Sequence, residues 1–239
     1  MNIIGIIPAR FGSKRFPGKP LYVIDGMTLL QRVFLQAKNS KSITALYIAT
    51  DDTKIYEHAL TFTNNVVMST GNHESGTSRC IEVFEKINTH HTYDGFINIQ
   101  GDEPFISPDL IDKLAASISP KYIITAKFES DDIESFNNPN TVKVVCNYNG
   151  DALYFSRSPI PFGATKYFKH IGIYGFHTSI VNNIKCMNEK ISNIENLEQL
   201  QWLSNDIVIK TITTTSESYG VDTPSDVEKI LQMLNVKNV

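Results

Sequence analysis

An α/β fold built on a mostly parallel central sheet is predicted by three observations on this sequence. Short continuous apolar runs recur through the first half, helix-period segments separate them, and glycine, proline and acidic clusters stand where the runs end. The first run, residues 2–7, reads NIIGII and suits a strand buried on both faces of a parallel sheet. Residues 28–38 follow as a helix, then a strand at 45–49, a helix at 53–61 behind Asp51 and Asp52, and a strand at 65–68. A third helix spans 76–87, opened by residues 77–79, and a strand follows at 95–99. Ser107 and Pro108 then provide an N-cap and a proline at the first helical position for a helix at 108–118, which leads to a strand at 122–126. Such βαβ alternation places ligands beyond the carboxyl ends of the strands.

After residue 128 the pattern changes. Residues 142–145 and 167–176 read as longer, more exposed strands joined by the proline-bearing stretch SRSPIPFGATK, a half suited to a second substrate or a dimer surface. Helices are expected at 177–187, 194–203 and 224–234, with a strand at 207–211. There is no internal repeat, low-complexity tract or linker, so 239 residues make one domain with a core large enough to need no staples.

The net charge of -3 argues against a general nucleic-acid binder. Cys80, Cys146 and Cys186 are odd in number, far apart and without CxxC spacing, which fits a reducing compartment. The apolar N-terminal run is too short for a signal h-region or a bilayer span. The expectation is a cytoplasmic chain that binds neither nucleic acid nor membrane.

The first strand breaks into PARFGSKRFPGKP, a loop with Arg10, Lys14, Arg15 and Lys19 among Gly12, Pro17 and Gly18. Strand, cation-rich glycine loop and helix together form a phosphate-binding arrangement, because loop N–H groups and cations face the anion. A solvated basic loop is the plainer alternative. The Walker A form is excluded: five residues separate Gly12 from Gly18 where four are required, and Pro20 stands in place of the magnesium-binding hydroxyl. No GxGxxG follows the strand either.

In INIQGDEPFI, Asp102 and Glu103 emerge at the end of an apolar run, where Asp102 could hold Mg²⁺ through a hard oxygen ligand or could simply belong to a turn before Pro104. In SYGVDTPSDVEKI, Asp222 precedes a helix beginning at Pro224 and reads either as part of a helix start or as a second metal ligand. Ser75, Gly76 and Thr77 in NHESGTSR would let backbone N–H groups approach a ligand, with Arg79 one turn into the helix; the alternative is that Ser75 or Thr77 is only an N-cap. HIGIYGF alternates, which puts His170, Gly172 and Tyr174 on one face, where a lone histidine is usually structural. His73, His90, His91 and the cysteines lack zinc spacing, and there is no GxSxG elbow.

Taken in order, these segments resemble the 3-deoxy-manno-octulosonate (Kdo) cytidylyltransferases, also called CMP-Kdo synthetases. The resemblance rests on IIPARFGSKRFPGKPL, IATDD, HESGTSR, NIQGDEP, NPNTVKVV, ALYFSRSPIP, KHIGIYGF, ENLEQL and GVDTPSDVEK, from residue 3 to about 229. IPAR and RFPGKP are shared by sugar nucleotidyltransferases in general; QGDEP, ALYFSRSPIP and GVDTP narrow the likeness to the Kdo type. It implies a Rossmann-like nucleotide-diphospho-sugar transferase fold, Mg²⁺, and a cytoplasmic homodimer that makes CMP-Kdo and pyrophosphate from CTP and Kdo for lipopolysaccharide or capsule. It further implies a nucleotide and metal core over about 1–128 and 205–239, with sugar binding and dimerisation over about 129–204.

On this resemblance Arg10 and Lys19 grip the triphosphate with Ser13 and Arg15 nearby, and Asp102 and Asp222 hold Mg²⁺. Ser75, Gly76 and Arg79 lie against cytosine and ribose together with backbone from Pro8 and Ala9. Arg157 meets the sugar's carboxylate, while Gln100, His170, Tyr174, Glu198 and Gln199 face its hydroxyls. Two departures fall in the sugar half: FGATKYF is brief where the family has a longer loop, and Gln201 replaces the usual arginine after EQL. The alternatives are a related acid such as 8-amino-3,8-dideoxy-Kdo, or an inactive nucleotide-binding homologue.

Overall fold

The computed structural model describes residues 1–13, 15–70, 73–90, 92–185, 187 and 195–237. Its elements in chain order are β1 (Ile3–Ala9), β2 (Val23–Ile24), β3 (Met27–Thr28), α1 (Leu29–Ala37), β4 (Ala45–Thr50), α2 (Thr53–Leu60), β5 (Val66–Met68) and α3 (Gly76–Ile87). Then come β6 (Gly95–Asn98), α4 (Pro108–Ala116), β7 (Ile123–Ser130), α5 (Ile133–Asn137), β8 (Lys143–Cys146), β9 (Ala152–Ser156) and β10 (Tyr167–His177). The chain continues through α6 (Thr178–Lys185), α7 (Glu198–Ser204), β11 (Ile209–Thr214) and α8 (Pro224–Lys237).

Packing divides the chain into two compact units, Met1–Tyr93 with Asn98–Asp112 and Ser218–Val239, and Asp94–Ile97 with Lys113–Glu217. These boundaries follow contact density and differ from the division by ligand role expected above.

In the first unit β1, β4 and β5 lie side by side and parallel, with Ile4 opposite Ala45 and Ile48 opposite Val66. Parallel pairing requires crossover connections, and α1 and α2 supply them. Leu29, Leu30, Val33, Phe34 and Ala37 recur at helical spacing on α1, and all are buried. The caps are local: Thr28 Oγ1 accepts from Gln31 N at 3.2 Å, and Asp52 Oδ1 accepts from Ile55 N at 3.0 Å. Because Asp52 caps α2, Asp51 remains available at the end of β4. A separate apolar cluster packs Phe16, Ile24 and Leu29 against Val221, Val227 and Ile230. That cluster fastens the loop after β1 to the start of α8.

The second unit places β7 between β11, which is parallel to it, and β10, which is antiparallel. β8 pairs with β10 and with β9, both antiparallel. Phe96, Tyr174, Phe176 and Trp202 form its aromatic core, with ring centroids 5.0 Å apart for Phe96 and Phe176 and 5.2 Å for Tyr174 and Trp202. Two glycines permit this packing. A Cβ on Gly95 would lie 2.2 Å from the Phe176 carbonyl oxygen, and one on Gly175 would lie 2.5 Å from Ile124 Cγ2.

Several elements differ from the sequence expectation for physical reasons. β9 adds a strand just before the connecting stretch SRSPIPFGATK, sharing its Ser156, because antiparallel pairing with β8 recruits it through a turn in which Asn147 Oδ1 accepts from Asn149 N and Asp151 N. β7 continues to Ser130 because Tyr167 of β10 pairs opposite that residue. β2 and β3 form a small hairpin around Asp25 and Gly26, both at positive φ, the turn an Asp-Gly pair favours. α7 begins at Glu198. Ile194, expected to start that helix, lies outside the described residues, as do Lys14, His91 and Cys186. No helix among the described residues is long and apolar enough to cross a membrane.

Candidate active site

In the first unit, β1 ends at Ala9 and delivers an exposed Arg10 into the basic loop. The Phe11 carbonyl accepts from both Ser13 N and Gly18 N at 2.9 Å, and Gly18 takes a positive φ of 71° to make the second bond. The fold-back leads into a 3-10 turn, Lys19–Leu21, that buries Lys19 to 9% exposure.

The Lys19 ammonium meets three distant parts of the chain. Nζ donates to Asp102 Oδ2 at 2.7 Å, to the Val221 carbonyl at 2.7 Å and to Asp222 Oδ1 at 3.5 Å. Arg15 Nη2 lies 3.0 Å from the same Asp222 oxygen. A backbone bond from Val221 N to Asp102 O, 2.9 Å, joins the two acidic segments directly. Two cations from the loop are thus interleaved with two carboxylates, which brings together Arg15, Lys19, Asp102 and Asp222.

Asp226 orients that last carboxylate and was not anticipated. Its Oδ2 accepts from Asp222 N at 3.0 Å, Thr223 N at 2.8 Å and Thr223 Oγ1 at 2.9 Å. Burial raises its pKa, but these bonds and the Lys229 charge outweigh burial and hold it below the usual carboxylate range. The helix-start reading of GVDTPSD therefore applies to Asp226. Asp222 directs its carboxylate to Lys19 and Arg15. An acidic residue in a helix's first turn was the available signal.

At the start of α3, Ser75 Oγ accepts from Ser78 N at 3.1 Å in a reciprocal capping box. Gly76 allows close approach: a Cβ there would lie 3.1 Å from Pro8 Cγ and 4.0 Å from Gln100 Oε1, and one on Gly101 would meet the Pro8 carbonyl at 2.7 Å. Pro8, Ser75, Gly76 and Gln100 consequently share one neighbourhood. Arg79 is 3% exposed and donates to Ser69 Oγ and, at 2.8 Å, to Asp51 Oδ2. It ties α3 to the ends of β4 and β5. Glu82, one turn further on, takes Thr70 N, Thr70 Oγ1 and His73 Nε2 on its two oxygens at 2.6–2.8 Å. Burial raises the Glu82 pKa, but Lys86, Thr70 and His73 outweigh it and bring the value to about 2.

The second unit holds the other predicted residues. Arg157, just after β9, donates from Nε to the Glu195 carbonyl and from Nη1 to the Pro139 carbonyl, both at 2.9 Å. His170 on β10 is buried against the rings of Phe155 and Tyr174, 5.0 and 5.5 Å away, and desolvation pushes its pKa down to about 3. It is neutral near pH 7. Thr125 Oγ1 donates to the Ile173 carbonyl at 2.8 Å, so His170 Nε2 donates to Thr125 at 3.0 Å and Nδ1 is the acceptor. Gln199 donates Nε2 to the Tyr174 hydroxyl, while its buried Oε1 takes no bond among the described residues. Glu198 stands half-buried in the first turn of α7. The alternation reading of β10 holds for His170 and Tyr174 despite a register shift between Ile171 and Tyr174.

The chain matches the family model described as Cytidylyltransferase over residues 4–212. It is 41% identical over 243 residues to a protein from Cytophaga hutchinsonii named 3-deoxy-manno-octulosonate cytidylyltransferase, covering 96% of each chain. A protein of the same name from Fusobacterium nucleatum is 41% identical over 247 residues, covering 100% of this chain and 99% of that one. Among solved structures, a CMP:2-keto-3-deoxy-manno-octonic acid synthetase complexed with CTP superposes with a TM-score of 0.89 at 34% identity, over 99% of this chain and 100% of that one. The inositol-1-phosphate CTP transferase from T. maritima superposes at 0.69 with 15% identity, a likeness of fold alone. The α/β class expected from the sequence is the fold shared with these structures.

Proposed function

We propose the reaction from a fixed premise: this chain belongs to the 3-deoxy-manno-octulosonate cytidylyltransferase family and is a nucleotidyltransferase. The reaction is transfer of CMP from CTP to the anomeric hydroxyl of Kdo. The hydroxyl oxygen gives up its proton to solvent and forms a bond to the α-phosphorus, the bond from that phosphorus to the β-phosphate oxygen breaks, and pyrophosphate leaves. Little covalent chemistry falls to the protein, so alignment and charge neutralisation account for the rate.

The observation that carries this reading is the Lys19 ammonium set between Asp102 and Asp222, with Arg15 on the same Asp222 oxygen. Such a set can exchange partners: Lys19, Arg15, Arg10 and Ser13 turn to triphosphate oxygens and release the two carboxylates toward a divalent cation. The residues fit Mg²⁺, because both donors are hard oxygens that already converge on one cation. Among the described residues no group of three or more His, Cys, Asp or Glu side chains could hold a metal ion, so Asp102 and Asp222 would hold Mg²⁺ together with the substrate. When bound, Mg²⁺ would neutralise phosphate charge and lower the basicity of the attacking hydroxyl. Ser75, Gly76 and Arg79, with backbone from Pro8 and Ala9, form the nucleoside side. On this reading Arg79 acts by holding α3 against Asp51 and Ser69.

For the acceptor, Arg157 supplies a cation to the sugar's carboxylate. His170 Nδ1 and Gln199 Oε1 are acceptors without partners among the described residues, and they suit hydroxyl donors. Tyr174 and Glu198 add further polar groups. A site that pairs each hydroxyl rejects sugars that leave a buried partner unmade. A second reading keeps the chemistry and changes the acid to 8-amino-3,8-dideoxy-Kdo; it is favoured by Gln201 in place of the family's usual arginine, which removes a cation that would repel a protonated amine. Homodimerisation is supported by large apolar side chains on the second unit: Tyr148, Leu153, Tyr154 and Phe162 are all exposed. We place the enzyme in the cytoplasm, with Cys80 and Cys146 as free thiols, feeding lipopolysaccharide or capsule synthesis.

Pyrophosphate release tests this. It is expected only when CTP, Mg²⁺ and a 2-keto-3-deoxy acid are all present, with UTP a poor donor, and relative kcat/KM for Kdo and its 8-amino analogue selects the acid. Asp102→Asn should lower kcat by about 10²-fold or more. Turnover unaffected by that substitution, or CTP binding without turnover on any acid, would sink the reading.

A further inference from the structure

Lys143 is fully buried, yet it carries an amine. All three of its N–H donors go to backbone carbonyls: Thr141 O at 2.7 Å, Asn138 O at 3.1 Å and Arg157 O. Burial pulls its pKa below the usual ammonium value; the nearby Glu195 charge opposes that pull and Arg157 adds to it. So many acceptors on one buried ammonium tie two segments together, the turn at 138–141 and the end of β9.

Both segments bear on Arg157. The Pro139 carbonyl, inside the turn that Lys143 secures, accepts from Arg157 Nη1. The other guanidinium acceptor is the Glu195 carbonyl, and the Glu195 side chain holds that backbone in place. Its Oε1 takes Ser156 Oγ at 2.5 Å and its Oε2 takes Arg157 N at 2.8 Å. The carboxylate is therefore turned to backbone and hydroxyl, while among the described residues the guanidinium bonds to two neutral carbonyls. Three of the five guanidinium N–H groups have no partner among the described residues. Had Glu195 paired directly with the guanidinium, the cation would be neutralised and its fork filled.

We propose that Lys143 and Glu195 are positioning residues for Arg157, aiming its guanidinium through backbone carbonyls so that its charge is kept for the carboxylate of the acceptor acid. The proposal rests on the reading of Arg157 as the ligand of that carboxylate. Neither residue touches substrate; each acts through where Arg157 points.

The test is a double-mutant cycle in steady-state kinetics with CTP, Mg²⁺ and Kdo, or the 8-amino analogue if the wild type prefers it. Lys143→Met and Glu195→Gln should each raise KM for the acid about tenfold with KM for CTP within about twofold. Adding either to Arg157→Ala should cost nothing beyond Arg157→Ala alone, because the positioned group is already gone. Multiplying losses in the double variants, or an unchanged acid KM in both single variants while Arg157→Ala raises it, would overturn the positioning role and leave the reading of Arg157 intact. An unchanged acid KM in Arg157→Ala would overturn that reading and the proposal with it. Glu195→Gln is isosteric and half-buried, so its own cycle decides the matter if Lys143→Met does not fold.

Discussion

Lowering the pH from 7 to 5 should weaken this fold through His170. Desolvation among Phe155, Tyr174 and Thr125 holds its native pKa at about 3, against 6.5 for the free side chain. Below pH 6.5 the unfolded chain takes up a proton that the native chain refuses, so native stability is fully present above 6.5 and is lost as pH falls toward about 3. The loss runs at about 1.4 kcal/mol per pH unit, and from 6.5 to 5 it reaches about 2 kcal/mol. In a chain of this length that corresponds to roughly 4–8 °C in melting temperature. The assay compares wild type with His170→Gln, by thermal and urea unfolding at pH 7 and pH 5. Every other titrating group is common to both proteins, so the double difference isolates His170. The wild type should lose about 2 kcal/mol more than the variant over that interval. Equal losses would refute the reasoning, as would an imidazole resonance for His170 that titrates between pH 8 and 5.

Other substitutions probe other contacts. Gly175→Ala places a Cβ 2.5 Å from Ile124 Cγ2 and should destabilise the second unit by about 1–3 kcal/mol, read as a fall of roughly 2–12 °C in melting temperature. Asp226→Ala removes the group that accepts from Asp222 N and Thr223 N; a stability loss of about 1 kcal/mol and a lower kcat at saturating CTP are expected, and unchanged kcat would deny it a part in orienting Asp222.

Much of the nucleotide side was legible in the sequence, because its signals are local. An apolar run ending in glycine and cations announces β1 and its loop, and Ser75 followed by small residues announces the capped start of α3. QGDEP and GVDTP mark two acidic turns at the ends of elements. Their meeting is a different matter: Lys19 lies 83 residues from Asp102 and 203 from Asp222. No periodicity spans such separations, and only the resemblance to a known family joined the three. Arg79 shows the limit from the other side. Its position one turn into α3 was readable, but its partners Asp51 and Ser69 depend on how β4 and β5 end beside that helix.

Strands created by pairing were missed, as was the short helix α5. β9 is an ordinary five-residue stretch, ALYFS, with two exposed large side chains, and it becomes a strand because β8 offers an edge. Lys143 sits in the middle of NTVKVV and looks like the polar position of a half-exposed strand. Only the turn at 138–141 and the end of β9, folded over it, turn a lysine in a strand into a buried tie for Arg157.

The sequence by itself determined the alternation of the main strands and helices of the first half, the placing of glycine, cations and carboxylates at element ends, and through its motifs the family. Those properties depend on neighbours within one or two turns of chain, where hydrophobic period, capping and backbone permissiveness act. The tertiary structure alone decided which charges face each other: Arg15 and Lys19 against Asp102 and Asp222, Asp226 behind Asp222, and a guanidinium held by carbonyls and not by the carboxylate beside it. Charge pairing and burial depend on distance in space, which a linear pattern does not carry.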